Sequence, residues 1–156
     1  MLLLQFQAGK DRYGLDVSRI IEVIPMVVFR PLPHADSAVA GLFNYHGTMV
    51  PVVDLTTLIT GEASRPLFST RVILVDYPGR SGQADKQHIL GLLAERVTET
   101  IFCAEEDFQP AAIAVDSASY LGDLLIHADG MIQRVAIERL LPPSLQGNLF
   151  MPAREA

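Results

Sequence analysis

The sequence is poor in cysteine and in positive charge, and it contains no tryptophan. Because Cys103 is the only cysteine, the chain can form neither an internal disulfide nor a cysteine-based metal cluster, and a reducing compartment is the simpler interpretation. The 12 Lys and Arg residues against 18 Asp and Glu residues give a net charge of -6. Proteins that bind a phosphate backbone are usually basic, so nucleic acid is not an expected partner.

Long apolar runs are also missing. No stretch approaches the roughly 20 apolar residues that a membrane-spanning helix needs. The N-terminus, MLLLQFQAGKD, has three leucines but neither the basic region nor the length of a signal peptide. We therefore predict a cytoplasmic protein that reaches a membrane only through a partner.

Patterns of catalytic and metal-binding residues are missing as well. The histidines have no second His or Cys at metal-ligand spacing, and the sequence has neither a nucleophile elbow nor a phosphate-binding loop. The adjacent carboxylates of Glu105, Glu106 and Asp107 are most simply a solvated acidic face. The sequence thus disfavours an enzyme and suggests no cofactor and no metal, although catalytic groups need only meet in space.

The sequence does contain 49% hydrophobic residues, mostly in short β-branched segments between turns. Strands at this spacing are typical of small antiparallel barrels. We predict a β-hairpin that begins at the first residue, a boundary loop over residues 60–66, a solvated hairpin loop over residues 78–87 and an amphipathic helix from Ile137. The predicted fold is therefore mostly β with short helices.

The chain is organised around residues 41–55, GLFNYHGTMVPVVDL. Residues 44–47 predict a turn, because Asn and Gly tolerate the backbone angles that reverse a strand. Pro51 lacks an N–H group, which predicts an edge strand or a bulge at this point. Asp54 is expected to cap a helix that begins at Leu55.

Two pairs of segments predict an internal duplication. Residues 13–24 align without a gap with residues 90–101, at an offset of 77 residues. Residues 49–59 match residues 131–141 in pattern, at an offset of 82. Such a repeat predicts two β-subdomains of about 75 residues, each too small to bury much alone and therefore packed against the other. Chance similarity between β-rich segments is the alternative.

Three stretches resemble the CheW coupling proteins of bacterial chemosensory arrays: YGLDVSRIIEVI, PLPHADSAVAGLFNYHGTMVPVVDL and HILGLLAERVTETI. The resemblance extends over residues 3–141. The family motif V-x-G-x-x-N-x-R-G-x-x-x-P-V-x-D-L is specific. Its matching positions in this chain are Val39, Gly41, Asn44, Gly47, Pro51, Val52, Asp54 and Leu55.

The resemblance implies a single CheW-like domain over residues 1–156. Its fold would be two pseudo-repeated SH3-like five-stranded β-barrels that share a hydrophobic core. We expect the first subdomain at approximately residues 12–68 and the second at approximately 69–136, with the N-terminal strand and the C-terminal helix able to cross between them. We also expect a stand-alone coupling protein rather than a kinase fragment.

The resemblance also implies a non-enzymatic adaptor with two protein partners. One is the cytoplasmic tip of a methyl-accepting chemoreceptor, and the other is the regulatory domain of a CheA-type histidine kinase. One alternative is a decoy or regulator that binds the kinase but not a receptor. The alternative from another class is an enzyme or a small-ligand barrel.

The resemblance further implies a receptor-binding groove between the two subdomains. A helical receptor hairpin would lay an apolar stripe into a groove of β-branched side chains, and a glycine would allow close approach. By position, the groove includes Ile20, Glu22, Gly41, Val97 and Thr100, and the motif turn includes Asn44, His46 and Gly47.

The sequence departs from the family pattern at His46, where the family usually has Arg. An Arg could pair with Glu22 through two hydrogen bonds, whereas a His would be a weaker and pH-dependent partner. We hypothesise that coupling through this turn is tuned for a divergent receptor or kinase. A second departure is Glu95, where the family frequently has Asp.

Overall fold

A computed structural model describes residues 1–77, 88–113, 115–128 and 130–141 of the chain. These ranges contain one short α-helix, α1 (Leu55–Thr60), and no helix in them is long and apolar enough to span a bilayer. The strands are β1 (Leu2–Ala8), β2 (Asp11–Asp16), β3 (Ile20–Pro25), β4 (Val39–Tyr45), β5 (Thr48–Asp54), β6 (Arg71–Tyr77), β7 (His88–Ala94), β8 (Thr100–Phe102), β9 (Phe108–Gln109), β10 (Leu121–His127) and β11 (Gly130–Val135). The 3-10 segments are Val17–Arg19, Glu105–Asp107, Asp116–Ala118 and Ile137–Arg139.

The described strands form two sheets. The first sheet has the order β8-β1-β2-β11-β10-β9, and the second has the order β3-β6-β7-β5-β4. The predicted mostly β fold is therefore confirmed. The second sheet has the expected five strands, whereas the first has a sixth, β9, which is only two residues long.

Each sheet combines strands from both sequence repeats. The β1–β2 hairpin lies in the first sheet with β8, β10 and β11, and the β6–β7 hairpin lies in the second sheet with β3, β4 and β5. The subdomains over residues 12–68 and 69–136 remain a prediction about the two sequence repeats, whereas the two sheets exchange strands between these ranges. A boundary near residue 68 separates the two sequence repeats, but each repeat gives its first hairpin to one sheet and its remaining strands to the other.

The pairing registers follow the duplication residue by residue. Gly14 in β2 lies opposite Arg134 in the parallel strand β11, and Gly91 in β7 lies opposite Val52 in the parallel strand β5. Gly91 follows Gly14 by 77 residues, and Arg134 follows Val52 by 82. These are the two offsets of the sequence alignment, so equivalent residues of the repeats occupy equivalent places in the two sheets.

Neighbouring residues along a strand face different apolar clusters. Leu3 packs in a cluster within the first sheet and Val52 in one within the second, whereas the adjacent Leu4 and Val53 pack together in a third, larger cluster. This third cluster contains residues from both sheets, which confirms the expected shared core. Phe6 is completely buried there, and burial of such a side chain stabilises the fold by about 1.5–3 kcal/mol.

The second sheet closes on itself through the chain that follows β3. The Arg30 N–H donates to the Leu42 carbonyl at 2.7 Å, and the Leu42 N–H donates to the Arg30 carbonyl at 2.9 Å. Leu42 belongs to β4, which lies at the opposite end of the sheet from β3. This pair of hydrogen bonds therefore curls the sheet into a barrel.

Two local predictions need correction. Pro51 does not lie on an edge strand, because β5 has neighbours on both sides, although its parallel pairing with β7 begins only at the next residue, Val52. Ile137 begins a 3-10 segment that ends at Arg139, and no amphipathic helix follows within the described residues. The predicted loop over residues 78–87 lies outside the described residues.

Asp54 caps α1 as predicted, and it also holds the loop that follows the helix. Its carboxylate accepts hydrogen bonds from the Thr56 N–H at 3.0 Å, the Ser64 N–H at 2.8 Å and the Ser64 hydroxyl at 2.6 Å. Asp54 is only 5% exposed. Replacing it would leave the buried Thr56 N–H and the partly buried Ser64 N–H without this acceptor.

We predict that Asp54→Ala lowers the free energy of unfolding by about 2–4 kcal/mol, the combined cost of a lost cap and unsatisfied buried donors. The matched control is Asp36→Ala, because Asp36 is exposed and its side chain accepts one hydrogen bond, from the Ala38 N–H at 2.9 Å. Urea unfolding measures both changes. Equal losses for the two variants would contradict the role of the Asp54 network.

Cys103 is a free thiol that is 4% exposed and packs in the cluster within the first sheet. Burial raises the pKa of this thiol above its ordinary value, so less of it is thiolate at a given pH. We predict that at pH 8 a thiol reagent labels the native chain at least roughly tenfold more slowly than the urea-unfolded chain. Similar rates in the two states would show that Cys103 is accessible.

Candidate binding site

The edge strand β3 carries an exposed row of apolar side chains. Ile21 is 40% exposed and Val23 is 37% exposed, which is unusual for two β-branched residues in a strand of a closed sheet. The pairing of β3 with β6 shifts register between Ile20 and Glu22, so Ile21 is the extra residue of a β-bulge. Bulges redirect side chains at sheet edges, and this one places Ile21 outside the core.

Glu22 is joined to the opposite edge of the same sheet. Its carboxylate accepts a hydrogen bond from the hydroxyl of Tyr45, at the end of β4. The bond crosses from β3 to β4, the two end strands of the five-stranded order. This hydrogen bond raises the pKa of the Tyr45 hydroxyl, because the neighbouring carboxylate disfavours the phenolate.

The motif turn is a two-residue β-hairpin, as predicted. His46 and Gly47 both have positive φ, 50° and 88°, which two-residue turns of the favoured hand require. The side-chain oxygen of Asn44 accepts a hydrogen bond from the Gly47 N–H at 2.7 Å and fixes the turn. His46 is exposed at the tip, and its ring lies edge-on to Tyr45 with 4.4 Å between centroids.

The structure does not contain the expected side-chain pair between His46 and Glu22. Among the described residues Glu22 accepts its side-chain hydrogen bond from Tyr45, and His46 forms no ion pair with it. His46 contacts Glu22 only indirectly, through the ring of Tyr45. The residue before the expected position therefore provides the partner of the carboxylate.

Gly41 is buried beneath the protein's own backbone. A Cβ at this position would overlap the carbonyl oxygen of Arg30 and lie 2.9 Å from the Cβ of Phe29. Its φ of 143° is also one that residues with a side chain rarely adopt. The close approach that Gly41 allows is thus by residues 29–30, which close the barrel.

The other predicted groove residues differ in exposure. Val97 is 5% exposed and belongs to the shared core, and its N–H donates to the Ser69 carbonyl at 2.9 Å. Ile20 is partly buried against the same core cluster. Thr100 is exposed at the start of β8, opposite Leu4. The structure therefore places Ile20 and Val97 at the same core cluster and leaves Thr100 at the surface.

Val23 is absent from the set predicted from the sequence, although the duplication identifies it. Under the offset of 77 residues, Ile20 is the counterpart of Val97 and Val23 is the counterpart of Thr100. Val23 lies on the end strand β3, which pairs with β6, and Thr100 lies on the end strand β8, which pairs with β1. The same repeat that predicted the fold thus adds a residue to the candidate site.

Glu95 is a structural residue. Its side chain is 6% exposed and accepts a hydrogen bond from Nε of Arg65 at 2.8 Å. The Arg65 side chain is 62% exposed, so solvent screens part of this pairing. The pair attaches the loop between the two repeats to the start of the segment after β7.

An open cleft of about 620 Å³ lies apart from these residues, between the first 3-10 segment and the end of β11. Its lining has both signs of charge, including Arg19, Asp123 and Arg139. Arg19 lies 3.9 Å from Glu138 across this region. The described residues contain no group of His, Cys, Asp and Glu that could hold a metal ion.

Two curated relatives of the chain are chemotaxis proteins. The chain is 25% identical over 142 residues to chemotaxis protein CheW of Rhizobium meliloti (strain 1021), which covers 90% of this chain and 86% of the relative. It is 29% identical over 129 residues to chemotaxis protein CheW of Treponema pallidum (strain Nichols), covering 76% of this chain and 69% of the relative.

A solved structure has a similar fold. The crystal structure of scaffolding protein TtCheW from Thermoanaerobacter tengcongensis superposes with a TM-score of 0.76 at 23% identity, over 89% of this chain and 86% of that one. The protein is therefore of the mostly β class in which two sheets pack around a shared core.

A family model described as a CheW-like domain matches residues 2–143. The chain therefore belongs to the CheW-like family.

We predict that Gly41→Ala lowers the free energy of unfolding by about 3 kcal/mol or more, because strain at φ 143° adds to overlap with the Arg30 carbonyl. Gly47→Ala is the control. It has a φ of 88° and nothing within 4 Å of the added Cβ, so its cost is backbone strain alone, about 1 kcal/mol. Urea unfolding measures both, and a Gly41→Ala variant as stable as Gly47→Ala would contradict the closure by residues 29–30.

Proposed function

We propose that this protein is a non-enzymatic adaptor that couples a methyl-accepting chemoreceptor to a CheA-type histidine kinase in the cytoplasm. The observation that carries the proposal is the edge strand β3, where Ile21 and Val23 are exposed on either side of Glu22. Membership of the CheW-like family supports it. The protein would reach the membrane only through the receptor.

The receptor would bind at the β3 edge. A helical hairpin presents an apolar stripe, which Val23 and its counterpart Thr100 can contact while Glu22 offers a charged acceptor. Ile20 lies at the margin of the shared core, and Val97 and Gly41 support the site from within the protein. Contact residues and supporting residues thus both belong to the groove.

The kinase regulatory domain would bind at the ends of the two sheets. Met49 is 54% exposed and Met131 is 61% exposed, and they are counterparts at the offset of 82 residues. Each is the second residue of its strand, Met49 in β5 and Met131 in β11. Met side chains adapt to varied partners, which suits a repeated contact surface.

The second candidate function is a decoy that binds the kinase but not a receptor. His46 at the usual position of Arg favours this alternative, because His46 forms no ion pair with Glu22 among the described residues. A decoy and an adaptor share the kinase contact. They differ in whether the β3 edge binds a receptor.

The test is a pull-down from native cells with wild type, Glu22→Lys and Glu62→Lys, with bound proteins identified by mass spectrometry. Glu62 is an exposed residue after α1 whose charge reversal leaves β3 unchanged. We expect wild type and Glu62→Lys to recover a chemoreceptor and a CheA-type kinase, and Glu22→Lys to recover the kinase alone, because a lysine reverses the charge at the receptor surface.

Three other results would change the proposal. Recovery of the kinase without a receptor by the wild type would favour the decoy. Recovery of neither protein would favour an enzyme or a small-ligand barrel. Equal recovery of the receptor by wild type and Glu22→Lys would remove Glu22 from the site.

A further inference from the structure

We propose that Tyr45 is a positioning residue for the receptor site, because its hydroxyl holds the Glu22 carboxylate in the orientation that the partner meets. This role rests on the proposed function. The hydroxyl of Tyr45, and not His46, would thus orient the Glu22 carboxylate. His46 contacts the Tyr45 ring from the tip of the turn.

Glu22 has few other restraints. It is exposed on the end strand β3, and among the described residues its side chain has a hydrogen bond only from Tyr45 and forms no ion pair. The bond engages Oε2 and leaves Oε1 for a donor on a partner. A side chain ordered before binding loses less conformational freedom in the complex, which strengthens binding.

Tyr45 is itself held firmly enough to position another residue. Its ring lies edge-on to Phe43 with 6.3 Å between centroids, and Phe43 lies edge-on to Phe29 at the same distance. Phe29 belongs to the segment whose backbone closes the barrel. The position of Glu22 is therefore linked through a row of rings to the closure of the second sheet.

The second sequence repeat shows that this bond is not a requirement of the fold. The counterparts of Glu22 and Tyr45 are Glu99, at the offset of 77, and His127, at the offset of 82. Glu99 is exposed, and Nδ1 of His127 is buried without a hydrogen-bond partner. The described part of the chain thus has the bond at one end only, although both repeats form the same hairpin.

The test is a double-mutant cycle for binding to a soluble cytoplasmic chemoreceptor fragment from the source organism. Tyr45→Phe keeps the ring contacts and removes the hydroxyl, and we expect it to weaken binding roughly three- to tenfold. Glu22→Gln should weaken binding as well. The double variant should bind no more weakly than Glu22→Gln alone, because Tyr45 acts through Glu22.

The control cycle combines Tyr45→Phe with Glu99→Gln, whose effects should be additive. Wild-type affinity for Tyr45→Phe, or additive losses with Glu22→Gln, would overturn the positioning role while leaving the adaptor function in place. Failure of the wild type itself to bind the fragment would overturn both proposals. Circular dichroism and urea unfolding of every variant separate loss of binding from loss of fold.

Discussion

Neither sequence repeat completes a sheet without strands from the other. The opening hairpin of each repeat pairs in parallel with the last strand of its counterpart, β2 with β11 and β7 with β5. These pairings join distant parts of the chain, and the largest apolar cluster draws on both sheets. The two halves are therefore expected to fold together, because each core remains incomplete until both are present.

The exchange of hairpins also determines where the candidate site lies. After its opening hairpin, each repeat crosses from one sheet to the other and continues as an end strand, β3 in the second sheet and β8 in the first. Ile20 and Val97 occupy the two crossing points and pack against the same core. The exposed residues Val23 and Thr100 follow each crossing by three residues, so the site is a direct product of the duplication.

Local chemistry in the sequence predicted much of this arrangement. The Asn-Gly spacing placed the turn, Asp54 placed the start of α1, and the offsets of 77 and 82 residues matched the pairing registers. The division into sheets was not predictable from the repeat alone, because a duplication is equally compatible with separate or exchanged barrels. The Tyr45–Glu22 bond was missed because it spans 23 residues and two end strands that the sequence does not bring together.

The family motif did not predict two contacts near the candidate site. His46 occupies the motif position, yet Tyr45 reaches the Glu22 carboxylate, and Gly41 accommodates residues 29–30 of the same chain.

The most direct test of receptor binding at β3, the central claim, is hydrogen–deuterium exchange of the protein with and without a bound chemoreceptor fragment. The account predicts slower exchange over Ile20–Pro25 in the complex. A complex that forms without any protection of this strand would contradict it.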